Sequence, residues 1–352
     1  MTPLTRLLAR RIRAGGPITL ADYMTECLLH PEHGYYTTRP PFGAAGDFIT
    51  APEISQMFGE LLGLALAQYW LDLGAPAPFT LAELGPGRGT LMADVLRATR
   101  AVPGFHAAAG LVLVEASPRL RRVQGDALAG FHPKWAGSAA DLPQAPLFLL
   151  ANEFFDALPI RQFTRAGEGW AETVVGLRGD QLALGRAPPA PLAALEHRLA
   201  DTAQGDVVEI CPAAAPVMSA LASRIATGGG LALILDYGDR LSRGDTFQAL
   251  RGHAYADPLA EPGRADLTAH VDFAALAAAA TGCATAFAPQ GALLQDLGIG
   301  ARTEALAARL SGPALQSHLA ASRRLTAPQE MGTLFKALAV FPQGAPQPPG
   351  FA

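Results

Sequence analysis

The sequence predicts an α/β chain built on a doubly wound, mainly parallel sheet, with a helical prefix and an antiparallel insertion. Two observations carry this. Short apolar runs, each meeting an acid or an amide, recur at 79–84, 111–115, 147–151 and 231–235, with helical spacing between them. Strands separated by helices pair in parallel and present ligands at their carboxyl ends. The first run also leads directly into ELGPGRG (83–89) and then a helical pattern from Thr90 to Arg100, the strand, loop and helix order that opens such a sheet.

The elements follow in order. Residues 1–13 alternate leucine with arginine and read as a first helix, since they lack a signal-peptide apolar core and cleavage site. Residues 18–36 mix a helical pattern with the loop HPEHG (30–34), and 39–46 form a Pro/Gly-rich connector. From Ile54 to Leu73 an apolar run at helical spacing, free of proline after Pro52, predicts one long buried helix. Between the third and fourth strands, Gly167, Gly169, Gly176 and Gly179-Asp180 punctuate β-prone pieces over 161–186, which predicts the antiparallel insertion. The stretch 246–272 reads as loop-rich. Residues 331–341, apolar apart from Lys336, read as a last strand, and the Pro/Gly-rich end beyond Phe341 as flexible.

Composition narrows the function classes. Half of the 352 residues are apolar and 16% are charged, enough to bury one large core or two joined ones. A net charge of -4 without a polybasic block speaks against nucleic acid or anionic lipid as partner. Cys27, Cys211 and Cys283 lie far apart with no CxxC spacing, so they read as reduced thiols in a cytoplasmic protein. The longest weakly polar stretches, 61–73 and 273–288, fall short of the roughly 18–20 apolar residues of a membrane span. His30 and His33 flank Pro31 with no third ligand nearby, so no metal site is expected.

The chemistry concentrates in the glycine loop. Gly85, Gly87 and Gly89 remove side chains where the backbone turns tightly at the amino end of a helix. A dinucleotide loop needs GxGxxG, and here the third glycine comes one residue early, with Thr90 in its place. Glu83 can accept from a cationic aminoacyl group, and Glu115 can accept both ribose hydroxyls. Together these point to S-adenosyl-L-methionine rather than NAD; the plainer alternative is a glycine turn packed under a helix. A second cluster, NEFFDALP (152–159), follows a strand at the same edge. Asn152, Glu153 and Asp156 can bind a cation and align a nucleophile there, or Asn152 can cap a helix while Phe154 and Phe155 fill core. Glu53 stands in the first turn of the long helix, where the helix dipole alone also favours a carboxylate. Asp236, Tyr237, His253 and Gln290 fall on the expected ligand side as substrate contacts, with His253 and His270 as candidate bases or, equally, as buried or capping histidines.

The chain resembles the MidA-like methyltransferases. The resemblance runs through GPI (16–18), HPEHGYY (30–36), GDFITAPEISQMFGELLG (46–63), LAELGPGRGTLMADVL (81–96), VEASPRLRRVQ (114–124), ANEFFDALPIRQF (151–163), VEICPAA (208–214), LILDYG (233–238), DPLAEPGRADLTAHVDF (257–273) and MGTLFKALAV (331–340). Cys211 departs from it, standing where the family pattern has serine. Mitochondrial members of that family act as respiratory complex I assembly factors and methylate protein arginine. The resemblance therefore implies a seven-stranded methyltransferase sheet and an enzyme using S-adenosyl-L-methionine on a protein substrate, with a complex I subunit as acceptor and room for a homodimer. A cofactor-binding chaperone without turnover and a small-molecule methyltransferase are the alternatives.

It further implies cofactor contacts from Gly85, Gly87, Glu115, Asn152 and Glu153, and a lid at 46–56 that brings Phe48, Thr50, Glu53 and Gln56 over the pocket. If arginine is the acceptor, its guanidinium, with a pKa above about 12, needs a carboxylate to localise its charge; Glu153, Asp156 and Glu53 are the candidates, in that order. The expected divisions are 1–75 (helical cap and lid), 76–160 (cofactor half), 161–206 (insertion), 207–341 (second core half with substrate-side loops) and 342–352 (tail).

Overall fold

The computed structural model describes residues 2–38 and 50–351. The chain forms two compact units, each assembled from separate stretches. One takes the described residues up to 38, Asp156–Ala215 and Arg240–Asp272; the other takes Thr50 to Phe155, Pro216–Asp239 and Phe273 to Phe351. The units thus interleave along the chain, which corrects the expected run of consecutive blocks. In particular, the expected cap at 1–75 is divided, because the long helix of residues 56–72 belongs with the sheet unit.

Seven strands of the sheet unit form one sheet: β1 (Phe79–Leu84), β2 (Ala109–Val114), β3 (Lys134–Ala136), β4 (Leu147–Asn152), β5 (Gly230–Asp239), β6 (Cys283–Pro289) and β7 (Phe335–Pro342). Their order in space is β6-β7-β5-β4-β1-β2-β3. The first five are parallel, while β7 runs antiparallel to both β5 and β6. From β1 the chain winds outward to β3, then returns to β4 on the other side, so the switch in winding falls between β1 and β4. Ligands of such sheets bind at the carboxyl ends beside that switch. β1 and β4 are buried along their whole length, as continuous apolar runs covered on both faces must be.

The expected helix over 54–73 is two elements, a turn at Ala51–Ile54 and a helix at Gln56–Asp72. Ser55 separates them in an extended conformation, and its hydroxyl accepts from the Met57 N–H as an N-cap. Gly59 and Gly63 let this helix approach the helix Thr90–Ala98 closely, since a Cβ there would stand 2.7 Å from Asp94 Cβ or 2.9 Å from Val95 Cα. The tail expected to be flexible is packed: Phe351 is buried in the core of this unit, and the Tyr69 hydroxyl donates to the Pro346 carbonyl at 2.9 Å.

The other unit pairs helices Pro3–Gly15 and Leu20–Leu29 with an antiparallel sheet. Leu4, Leu8 and Ile12 of the first helix, at helical spacing, join Tyr23, Met24, Cys27 and Val175 in one apolar cluster. The strands Arg161–Ala166, Gly169–Arg178 and Gln181–Arg186 form the antiparallel meander expected from the glycine punctuation. The stretch read as loop-rich holds a small three-stranded antiparallel sheet, Gln248–Arg251, Ala254–Ala256 and Asp266–Thr268.

Candidate active site

Glu83, the glycine loop, Glu115, Asn152, Glu153 and Glu53 all belong to the sheet unit. β1 delivers Glu83 into the interior. One of its oxygens is held by the Met92 N–H, while Oε2 is buried with no partner among the described residues. Burial pushes its pKa up to about 8, with the Met92 bond pulling the other way. The loop then turns on Gly85, Gly87 and Gly89, whose φ angles of 59, 52 and 84° lie in the left-handed region open to glycine. At Gly85 a Cβ would stand 2.9 Å from the Phe154 ring. Gly89 caps the helix Thr90–Ala98, leaving N–H groups at the helix start to face the loop.

Glu115 follows β2 directly. Its Oε1 accepts from the Ser117 N–H at 2.7 Å and its Oε2 from Gln124 Nε2 at 3.1 Å. Burial raises its pKa and these donors oppose the rise. Gln124 also donates to the Gly87 carbonyl at 2.9 Å and accepts from Trp135 Nε1 at 2.8 Å. Reading the sequence by residue chemistry missed Gln124; its only signal was inclusion in the segment 114–124.

Asn152 ends β4. Its Nδ2 donates to Glu153 Oε1 at 3.1 Å, and its Oδ1 is buried with no partner among the described residues. Glu153 adopts φ 49°, its N–H donating to the Leu235 carbonyl at 2.9 Å, and its Oε1 also accepts from the Ala51 N–H at 3.2 Å. Glu53 ties the same segment to the glycine loop, accepting from Thr90 Oγ1 at 2.7 Å and pairing with Arg88 at 3.5 Å. The fold thus gathers Glu83, the three glycines, Glu115, Asn152, Glu153 and Glu53 around one strand edge. Thr50 starts the Ala51–Ile54 turn without a side-chain cap bond, Gln56 is exposed at the start of its helix, and Phe48 lies outside the described residues.

Other candidates sit differently. The Asp236 carboxylate is fully buried and accepts from the N–H groups of Phe154, Phe155 and Tyr237, so it braces the turn instead of facing a substrate. Tyr237 is buried edge-on to Phe335, ring centroids 5.6 Å apart. Gln290 is fully buried and donates to the Leu325 carbonyl at 3.0 Å. Asp156 and His253 belong to the other unit: Asp156 is buried and adds to the rise of the Tyr36 phenol that burial and then Asp266 cause, and His253 is exposed at a left-handed turn between two strands. His270 donates its N–H to Thr246 Oγ1 at 2.8 Å. His30 and His33 stack on each other with ring centroids 5.0 Å apart. Among the described residues no group of three His, Cys, Asp or Glu is placed to hold a metal ion.

Two orphaned acceptors, a clasped acid and a loop that tolerates no Cβ at Gly85 make a cradle for a ligand with a cationic end and a ribose. The model of an S-adenosyl-L-methionine-dependent methyltransferase family matches residues 61–290. The chain belongs to that family. It is an enzyme of the transferase class, and S-adenosyl-L-methionine is its cofactor. The MidA-like resemblance and the seven-stranded fold agree with this.

The chain is 38% identical to the mitochondrial protein arginine methyltransferase NDUFAF7 of Bos taurus, over 97% of this chain and 84% of the relative. With the Homo sapiens protein of the same name it shares 37% over the same fractions. Its fold matches a COG1565 superfamily protein from Burkholderia thailandensis bound to S-adenosyl-homocysteine, with TM-score 0.84 and 28% identity, over 99% of this chain and 93% of that one. The relatives' names correct one expectation: they are mitochondrial, which overturns the cytoplasmic reading. Dispersed reduced thiols mark a reducing environment and do not separate one such compartment from another. No helix among the described residues is long and apolar enough to cross a membrane.

Proposed function

We propose that the chain methylates a guanidinium nitrogen of arginine in a protein substrate, with a respiratory complex I subunit as the acceptor to test first. Relatives at 37–38% identity are named protein arginine methyltransferases, which supports the acceptor class. The observation that carries the reading is Glu153, a carboxylate held in the left-handed region at the carboxyl edge of the sheet, where strained backbone persists only if its surroundings enforce it.

When bound, the cofactor supplies a methyl group made electrophilic by its sulfonium. Glu83 and Asn152 would offer their buried acceptors to its aminoacyl end, and Glu115 its carboxylate to the ribose. Gly85, Gly87 and Gly89 would let the backbone come close, with Thr50 and Gln56 along the rim. Glu153 would gather the guanidinium charge onto the nitrogens that do not react, leaving one lone pair for attack. Glu53 serves better as the tie between its segment and the glycine loop, because both of its oxygens are engaged there.

The test is mass spectrometry of proteins from cells lacking the gene and cells restored with the parent or with Gly87→Val. A methylarginine peptide present only with the parent is expected. No such peptide, with purified parent still binding S-adenosyl-homocysteine, would sink the arginine reading. Glu153→Gln is expected to keep S-adenosyl-homocysteine affinity within about threefold and to lose about 100-fold or more in turnover. Parental turnover by this variant on an authentic substrate would remove Glu153 from the mechanism.

A further inference from the structure

We propose that Gln124 is a positioning residue that sets the Glu115 carboxylate for the cofactor ribose and locks it to the glycine loop; this rests on the cofactor reading of the site. Gln124 lies in the helix Pro118–Ala127 with no exposed surface. A primary amide carries two N–H donors and one carbonyl, and here all are used. Nε2 donates to the Gly87 carbonyl and to Glu115 Oε2, and Oε1 accepts from the Trp135 indole.

The indole N–H can only donate, so Trp135 decides which way the amide faces. Flipping it would set the carbonyl oxygen against the Gly87 carbonyl and the Glu115 carboxylate, and the NH₂ group against the indole N–H. Four groups from the glycine loop, the end of β2, the following helix and β3 therefore fix one another. The Glu115 carboxylate receives backbone N–H groups from Ala116 and Ser117 as well as the Gln124 amide, and at least one donor reaches each oxygen. Its plane is set before any ligand arrives, which removes an ordering cost from ribose recognition. Because the same Nε2 holds the Gly87 carbonyl, the ribose acid and the glycine loop keep a fixed spacing.

The role acts through Glu115, and a double-mutant cycle separates it from simple packing. S-adenosyl-homocysteine is titrated calorimetrically into the full chain as parent, Gln124→Met, Glu115→Ala and the double variant. Gln124→Met keeps the side-chain length and is expected to weaken binding about 10- to 30-fold, as loss of hydrogen bonds to a charged group does. In the Glu115→Ala background the same change should cost no more than about threefold. Turnover at saturating cofactor should stay within about threefold of the parent, with the loss confined to the cofactor KM.

Parental affinity in Gln124→Met, or an undiminished penalty in the double variant, overturns the proposal. Should Gln124→Met fail to fold, Trp135→Phe leaves the glutamine in place but frees its amide to flip. It should weaken binding about threefold to tenfold, and parental affinity there overturns the proposal equally. A parent chain that takes up no S-adenosyl-homocysteine overturns the cofactor reading itself, a result distinct from a parent that binds alongside a variant that binds as well.

Discussion

On β1 the Glu83 carboxylate is enclosed with one oxygen unmatched, whereas just past β2 the Glu115 carboxylate is buried with donors on both oxygens. Both acids stand near the carboxyl ends of adjacent parallel strands, 3% and 9% exposed, so depth alone does not separate them. What separates them is donor supply. β2 runs into a turn whose N–H groups and following helix face Glu115, while Glu83 is still inside β1, where the backbone donors are spent on neighbouring strands. An acid clasped in this way is ready for neutral hydroxyl donors, and an acid left half-matched favours a ligand that brings its own positive charge.

That contrast can be broken from either side. The largest effect is expected from Glu115→Ala, which removes a charged acceptor and leaves Gln124 with an unused buried donor; affinity for S-adenosyl-homocysteine should fall about 100-fold. A loss under tenfold in calorimetric titration would mean the ribose is not read there. Glu83→Gln should act on stability. A carboxyl whose folded pKa is raised contributes stability below its ordinary value of 4.5 and loses it as pH climbs toward about 8. Without cofactor the parent should therefore melt progressively lower than Glu83→Gln between pH 5 and pH 8, and near-equal melting temperatures are expected at pH 5. A parent-minus-variant difference that stays flat over this window in scanning calorimetry would place the Glu83 proton elsewhere. The smallest effect belongs to Arg88→Ala. Its partner Glu53 keeps Thr90, and the guanidinium is half-exposed, so about 1 kcal/mol or less of stability and under twofold in affinity should change. A tenfold loss of cofactor affinity in Arg88→Ala would show that the glycine loop depends on this pair.

Much of the sheet was legible because its strands are buried on both faces and so read as unbroken apolar runs: β1, β2, β4 and β5 were each expected within a few residues. β3 was not, having three residues and no periodicity to detect. β6 was hidden by alanines, Cys283-Ala-Thr-Ala-Phe-Ala-Pro289, which are as much at home in a helix. The break at Ser55 was legible in principle, since serine is a favoured N-cap, but the apolar run on either side concealed it.

At the site, residue chemistry led to the glycine loop, Glu115, Asn152 and Glu153, and the fold brings these together. It misplaced Asp236, whose acid at a strand end looks the same in sequence whether it faces a ligand or three N–H groups. It passed over Gln124 because an amide in a polar helix shows its partners only once β3 and the loop stand beside it.

β7 has a further consequence for how the protein is made. Residues 335–342 slot between two strands that precede them in the chain, β5 and β6, with six antiparallel residue pairs to β5 and seven to β6. While the chain is leaving the ribosome, the edge of β5 that will later meet β7 must wait open, offering unpaired backbone to any passing strand. Until β7 has emerged and docked, that open edge is a site for aggregation, and a chaperone that shields strand edges would protect the chain over that interval.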